Sequence, residues 1–264
     1  MNVNLRAKGL AISAFCLAAL FSVHFAVTPA SAASAGAEPP AQPWSFNGWF
    51  GSFDRDGLRR GLQVYREVCA GCHGLKYIAF RNLIEMGLSE AEAKAIAAEY
   101  EVSVGPDEDG EMFDRAARLS DMFPAPFENE QSARSANNGA LPPDLSLITK
   151  ARANGPDYLH AILVGYEDEP PEHVTLADGM YYNGFFPGGQ IAMPPPLFEE
   201  LVEYEDGTEA SVEQMSNDVV MFLHWAADPK LEDRKRLGIK SFLFLLVLTA
   251  LFIASKRLVW ARLH

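Results

Sequence analysis

Residues 69–73 read Cys69-Ala70-Gly71-Cys72-His73, and the spacing C-x-x-C-H is that of covalent haem attachment. Two thiols one helical turn apart can form thioether bonds to the two vinyl groups of a haem. The histidine that follows is then held beneath the iron as its fifth ligand. A zinc site on the same pair would need two further ligands of similar kind, and a thioredoxin-like redox pair would need a βαβ setting. The sequence supplies neither. Upstream, Asp54 or Asp56 can cap a helix in which Leu58, Leu62, Tyr65 and Cys69 recur at three- and four-residue steps. That pattern puts Cys69 at the end of an apolar face and the haem against this helix.

The sixth ligand must come from elsewhere, and a methionine thioether would raise the reduction potential. Met86, Met112, Met122, Met215 and Met221 stand in helical or acidic contexts, where methionine is a core filler. Met180 and Met193 lie in loops. Gly188 and Gly189 permit close backbone approach and Pro194-Pro195-Pro196 stiffens the following turn, which favours Met193 over Met180. His160, His173 and His224 are a third choice. The second nitrogen of His73 needs a hydrogen bond that fixes its tautomer, and a carbonyl of the Leu141-Pro142-Pro143 loop is a candidate. Arg152 and Tyr158 follow that loop closely and suit haem propionates.

Elsewhere, Ser89 with Glu92 makes a capping box for a helix to about Tyr100, and Val219 to Ala226 reads as another helix stopped by Pro229. Gly61 and Tyr65 can meet Phe222 and Trp225 where two such helices cross. Residues 137–146 and 181–196 are crowded with Gly, Pro and Asn and read as loops. With 48% hydrophobic residues a buried core is assured, and a formal charge of −13 argues against a nucleic-acid partner.

The N-terminus reads as a cleaved secretory signal over residues 1–32: Arg6 and Lys8, an apolar stretch from Gly9 to Val27, then Ala30-Ser31-Ala32. Cys16 follows Phe15, which is unlike a lipoprotein signal. Without this segment only Cys69 and Cys72 remain. Near the other end, Ser241 to Ser255 is an uncharged, largely apolar run, about 22 Å long as a helix. Lys240, Lys256 and Arg257 can snorkel from its ends and Trp260 can sit at the interface, extending it toward a hydrocarbon core of about 30 Å. Residues 237–257 are therefore the expected transmembrane anchor and 258–264 a short cytoplasmic tail. The signal places residues 33–236 outside, in the periplasm of a bacterium, on a single-pass protein of the inner membrane.

The stretches CAGCHGLKYIAFRNL (69–83), ANNGALPPDLS (136–146), DYLHAILVGY (157–166), YYNGFFPGGQIAMPPPLF (181–198) and HWAADPKLEDRKRLG (224–238) together resemble the cytochrome c1 family, the haem subunits of ubiquinol:cytochrome c reductases. The resemblance covers nearly all of the chain after the signal. It implies a mainly α, cytochrome c-like haem domain with long loop insertions and one C-terminal transmembrane helix. It implies one covalent haem c on Cys69 and Cys72, axial ligation by His73 and Met193, and pocket contacts from Asn137, Pro143, Arg152 and Tyr158. It also implies partners: cytochrome b and a Rieske iron–sulfur protein in the membrane complex, and a cytochrome c as electron acceptor. Some bacterial members carry an extra cysteine pair ahead of the methionine ligand, for which this chain has no thiols. The acidic stretches Glu99 to Asp114 and Glu167 to Glu172 would steer a basic acceptor. Rival readings are a free-standing membrane-tethered shuttle, a haem subunit of another membrane oxidase, and a haem-based sensor; the last would need an open axial position and an output domain.

Overall fold

The computed structural model describes residues 36–172 and 174–261. The expected signal segment with Cys16, the candidate ligand His173 and residues 262–264 of the expected tail lie outside the described residues. What is described is mainly helical: α1 (Arg55–Val64), α2 (Glu90–Ala98), α3 (Glu130–Ala136), α4 (Ile148–Ala151), α5 (Gly155–Val164), α6 (Val212–Ala227) and α7 (Leu231–Trp260). Two small antiparallel hairpins accompany them, β1 (Glu101–Val104) with β2 (Phe113–Ala116), and β3 (Tyr181–Tyr182) with β4 (Gln190–Ile191).

The centre of the fold is the crossing of α1 on α6. Asp54 caps α1, its carboxylate accepting from the Asp56 amide at 3.2 Å. The buried face of the helix is Gly57, Leu58, Gly61, Leu62 and Val64. At Gly61 the two backbones come so close that a Cβ would lie 2.0 Å from the Asp218 carbonyl oxygen and 2.7 Å from Phe222 Cβ. Beside this contact Tyr65 packs on Phe222 with ring centroids 5.7 Å apart, and Phe222 stacks on Trp225 at 5.8 Å.

Helix α6 begins at Val212, well before the Val219 start that its apolar pattern predicts. Its first half is polar in sequence yet inward-facing: Ser216 and Asp218 are buried. The Arg60 guanidinium grips Asp218 through Nε–Oδ2 at 2.8 Å and Nη2–Oδ1 at 3.2 Å, and Gln214 adds a bond of 2.9 Å. A fork on a carboxylate thus takes the place of an apolar stripe. Burial pushes the Asp218 carboxyl upward, and Arg60 opposes that shift.

Two further stretches differ from the sequence reading. Part of 181–196 pairs as the β3–β4 hairpin, and the acidic stretch after Glu99 folds as the exposed β1–β2 hairpin. Met86 and Met215 are wholly buried core fillers, whereas Met112 and Met122 are exposed. Short strands carried by turn residues and by exposed side chains leave no period-two apolar signal to read.

Helix α7 starts at Leu231, inside the charged turn that precedes the apolar run. Its first turns are fastened to the chain near Phe53: Glu232 accepts from the Phe53 amide at 2.9 Å and from Arg55 at 2.8 Å, and Lys235 Nζ donates to the carbonyls of Phe46 and Gly51. The remainder is long and apolar enough to cross a membrane, and its most apolar stretch is unburied by the rest of the chain.

Candidate haem site

Beyond Val64 the helix does not continue as α. Residues Tyr65–Cys69 widen into a π-turn, with the Ala70 amide donating to the Tyr65 carbonyl at 2.8 Å. Such single-turn bulges recur at functional sites because they re-aim the residues that follow. The Cys69 carbonyl then accepts from Cys72 at 3.1 Å and from His73 at 2.9 Å, closing the C-x-x-C-H segment into a tight coil. Tyr65 ties its far end, the phenol donating to the His73 carbonyl at 3.1 Å. Both thiols are free. Cys69 packs against the core, where burial pushes its thiol up to about 12, while Cys72 is exposed. A Cβ placed at Gly71 meets nothing within 4 Å, so the coil faces open space on that side.

Residues 144–146 are stitched alongside residues 74–77. Leu145 N donates to Gly74 O (2.9 Å), Lys76 N to Asp144 Oδ2 (2.9 Å) and Tyr77 N to Ser146 Oγ (3.1 Å). This stitching brings the Pro143 carbonyl to 2.8 Å from His73 Nδ1. A carbonyl only accepts, so Nδ1 carries the proton and Nε2 keeps a lone pair available to a metal. Burial pushes the His73 imidazole below its usual range, with the Pro143 carbonyl and Asp144 opposing the shift.

Met193 follows β4 and is half-buried. The turn before it uses Gly188 and Gly189 at φ of 82° and 71°, the left-handed region that favours glycine. Two side-chain hydrogen bonds tie this hairpin segment to α5 and to the residue Tyr166 just after it. Asn183, wholly buried, donates from Nδ2 to the Ile162 carbonyl at 2.8 Å, and the Tyr166 phenol donates to the Met193 carbonyl at 3.0 Å. Met180 is also half-buried, and its amide closes a turn on Ala177 at 3.1 Å.

Asn137 ends α3, its side-chain amide donating to the Ala133 carbonyl at 2.7 Å. Arg152 is exposed and donates to the Ala151 carbonyl at 3.2 Å. Tyr158 is half-buried; burial pushes its phenol upward, and the Arg152 charge acts against that, so these two are neighbours. Among the described residues no hydrogen bond ties Asn137, Arg152 or Tyr158 to the His73–Pro143 pair. His160 and His224 are packed into an aromatic cluster. His160 meets the edge of Trp44 and lies 3.1 Å from Glu213, while His224 stacks on Phe46 at 4.3 Å with Nδ1 3.2 Å from Thr149 Oγ1.

Tyr65, Asp144, Ser146, Tyr166 and Asn183 position the site, and the sequence reading singled out none of them for that task. Their partners are fixed only by the fold, so no short-range pattern marks them. The donors fit a c-type haem: two unpaired thiols, an imidazole with Nε2 free, and a thioether on a braced loop. Leu141 and Leu147, exposed near the Pro143 loop, supply apolar surface suited to a flat macrocycle. Among the described residues no cluster of three or more His, Cys, Asp or Glu side chains is placed to hold a bare metal ion.

The model of the Cytochrome C1 family matches residues 44–263. A Candida albicans protein, the mitochondrial "Cytochrome b-c1 complex catalytic subunit", is 52% identical over 230 residues, which are 87% of this chain and 80% of that protein. "Cytochrome c1" of Rhodospirillum rubrum is 46% identical over an alignment of 246 positions that covers 88% of this chain and 90% of that protein. "Cytochrome b/c1" of Bradyrhizobium diazoefficiens is 47% identical over an alignment of 279 positions that covers 97% of this chain; the chain spans only 41% of that longer protein. Motif, site geometry and these relatives agree: the chain belongs to the cytochrome c1 family.

Proposed function

We propose that this chain is the haem-carrying relay of a ubiquinol:cytochrome c reductase, taking one electron from a Rieske iron–sulfur protein and passing it to a cytochrome c. The observation that carries the reading is the His73–Pro143 bond of 2.8 Å beside two free thiols. His73 Nε2 would be offered to the iron of a haem whose vinyl groups Cys69 and Cys72 would hold through thioether bonds. Met193 would supply the second ligand, favoured over Met180 by the Tyr166 phenol on its carbonyl and by the rigid prolines after it. Asn137, Pro143, Arg152 and Tyr158 complete the pocket wall, with Arg152 and Tyr158 toward the propionates. Bound there, haem c supplies reversible one-electron chemistry. The protein's part is to keep both ligands in place in either oxidation state and to exclude water from one face.

Partnership with cytochrome b is supported by the names of the Bradyrhizobium and Candida relatives. The relay works at a membrane surface: residues 1–32 export the chain, 33–236 form the periplasmic haem domain, 237–257 cross the inner membrane and 258–264 remain in the cytoplasm. The exposed β1–β2 hairpin and the acidic residues Glu167 to Glu172 face a basic acceptor. Purification in mild detergent tests the role. Quinol:cytochrome c activity with co-purifying b-type haem and iron–sulfur protein is expected, and a lone c-type haem protein would overturn it. Met193→Leu tests the ligand. Each tenfold loss of preference for ferrous iron lowers a one-electron potential by about 59 mV, and at least one such step is expected; an unchanged midpoint would remove Met193 from the site.

A further inference from the structure

We propose that the loop Gly48-Trp49-Phe50-Gly51 is a second membrane contact, entering the headgroup region of a lipid bilayer beside the start of α7. The inference rests on reading α7 as a membrane span. Trp49 and Phe50 are adjacent in sequence and 73% and 86% exposed. Two large apolar side chains presented together at the surface mark a contact.

The loop is fixed rather than free. Trp44 and Phe46 just before it are buried in the core, and the Ser52 amide closes it on the Ser45 carbonyl at 3.1 Å. Lys235 Nζ reaches across from α7 to the Phe46 and Gly51 carbonyls at 2.5 and 3.2 Å. Gly48, Trp49, Lys235, Gly238 and Ile239 line one shallow, mainly apolar groove. The height of the loop is therefore set by the helix.

That height can be calculated from the far end. Lys256 and Arg257 are the first charges after the apolar run, and Lys256 Nζ lies 4.9 Å from the Trp260 ring centre, a cation and an indole together at one boundary. A hydrocarbon core of about 30 Å takes about 20 helical residues. Counting back from Lys256 ends near Leu237, at the level of Gly238 and Ile239. Trp49 shares the groove with those residues, so its indole stands at the near boundary, where such rings are enriched. One side of the membrane thus has its interfacial tryptophan on the helix and the other has it on a loop more than two hundred residues earlier in the chain.

Charge selects lipid as the occupant. The chain carries −13 overall, yet Arg234, Lys235, Arg236 and Lys240 gather around this level of α7 and outnumber Glu232 and Asp233 beside them, with Arg234 bridged to Asp228 and Arg236 4.0 Å from Glu232. That collar complements anionic headgroups. A single helix leaves the attached domain able to rock about its end; a second contact fixes the tilt at which the haem site stands over the bilayer.

The test uses the full haem-loaded chain in nanodiscs of phosphatidylcholine and phosphatidylglycerol. Nitroxide labels are placed by Phe50→Cys, by Val247→Cys in mid-span and by Glu111→Cys on the exposed hairpin, each in a Cys16→Ser background. Collision of the label with oxygen and with a water-soluble nickel chelate is measured. At Phe50 the oxygen collision rate is expected to rise and the chelate rate to fall relative to Glu111, in the same sense as at Val247 and to a smaller extent. A Phe50 label as open to chelate as Glu111, with Val247 still lipid-like, overturns this inference alone. Shielding of Phe50 from both reagents means a protein surface covers the loop and also overturns it. A Val247 label open to chelate removes the span itself, and the inference with it.

Discussion

Around Cys69 to His73 the backbone is fixed by a helix crossing with no spare volume, whereas around Met193 it is fixed by polar side chains that tie its hairpin to the main chain of α5 and to Tyr166 just after it. On the first side, Gly61 lets α1 lie against the Asp218 carbonyl, and Tyr65 serves both as core residue and as donor to His73. On the second side, Asn183 holds Ile162 and Tyr166 holds Met193, each through one hydrogen bond of 2.8 to 3.0 Å. The two sides answer to different perturbations. Close-packed contacts fail when volume is added, and hydrogen-bonded ones fail when a donor is removed.

Gly61→Val is the largest way to break the contrast. The branched side chain recovers well under 1 kcal/mol of helix propensity. Against that, its Cβ would stand 2.0 Å from a main-chain oxygen that cannot swing aside. The helices must part, and a loss of about 3 kcal/mol, the upper part of the usual overpacking range, is expected. Thermal unfolding measures it; a melting temperature equal to that of the unsubstituted protein would mean that the two backbones do not touch there.

The packed side is also the more legible one in the sequence. The Asp54 cap, the three- and four-residue spacing of Leu58, Leu62 and Tyr65, and the Gly61–Phe222 meeting follow from local rules and reappear in the fold. The π-turn does not, because nothing in Tyr65-Arg66-Glu67-Val68-Cys69 departs from an α-helical pattern. The apolar pattern does not mark the early start of α6 because Glu213, Gln214, Ser216 and Asp218 are polar, and the buried carboxylate among them, Asp218, is satisfied by Arg60, 158 residues away in the chain. A cap signal was there to be used: Ser211 accepts from the Gln214 amide at 3.2 Å, the serine-x-x-glutamine pattern of a helix start. On the Met193 side, glycines and prolines reveal a stiff loop but not its partners. Asn183 and Tyr166 look like ordinary loop residues until α5 is laid beside them.

Asn183→Ala is the intermediate test. The side chain is fully buried, and its removal leaves the Ile162 carbonyl and the Phe185 amide without partners, since Asn183 Oδ1 accepts from Phe185 N at 3.1 Å. Unsatisfied buried groups of this kind cost about 1–3 kcal/mol, so a fall of about 2 kcal/mol in urea unfolding is expected. The coil from Cys69 to His73 is untouched by this change, so covalent haem content is expected to stay at the level of the unsubstituted protein. A parallel loss of attached haem would show that the two sides are not independent.

Tyr166→Phe has the smallest effect and discriminates most sharply, because it keeps the ring and deletes one hydroxyl. Burial pushes this phenol upward, so at any working pH it is protonated and donates to the Met193 carbonyl. Losing a neutral hydrogen bond costs about 1 kcal/mol. If all of that fell on one oxidation state, the one-electron potential would move by about 40 mV, since tenfold is 59 mV. The midpoint is therefore expected to fall as it does in Met193→Leu but by less than that ceiling, because the sulfur is still present and only its backbone is loosened. Redox titration of both variants against the unsubstituted protein measures this. A fall in Tyr166→Phe as large as in Met193→Leu would mean that the phenol acts on the ligand directly. A fall in neither would place the sixth ligand on another loop, and the hydrogen-bonded side of the site would have to be sought around Met180.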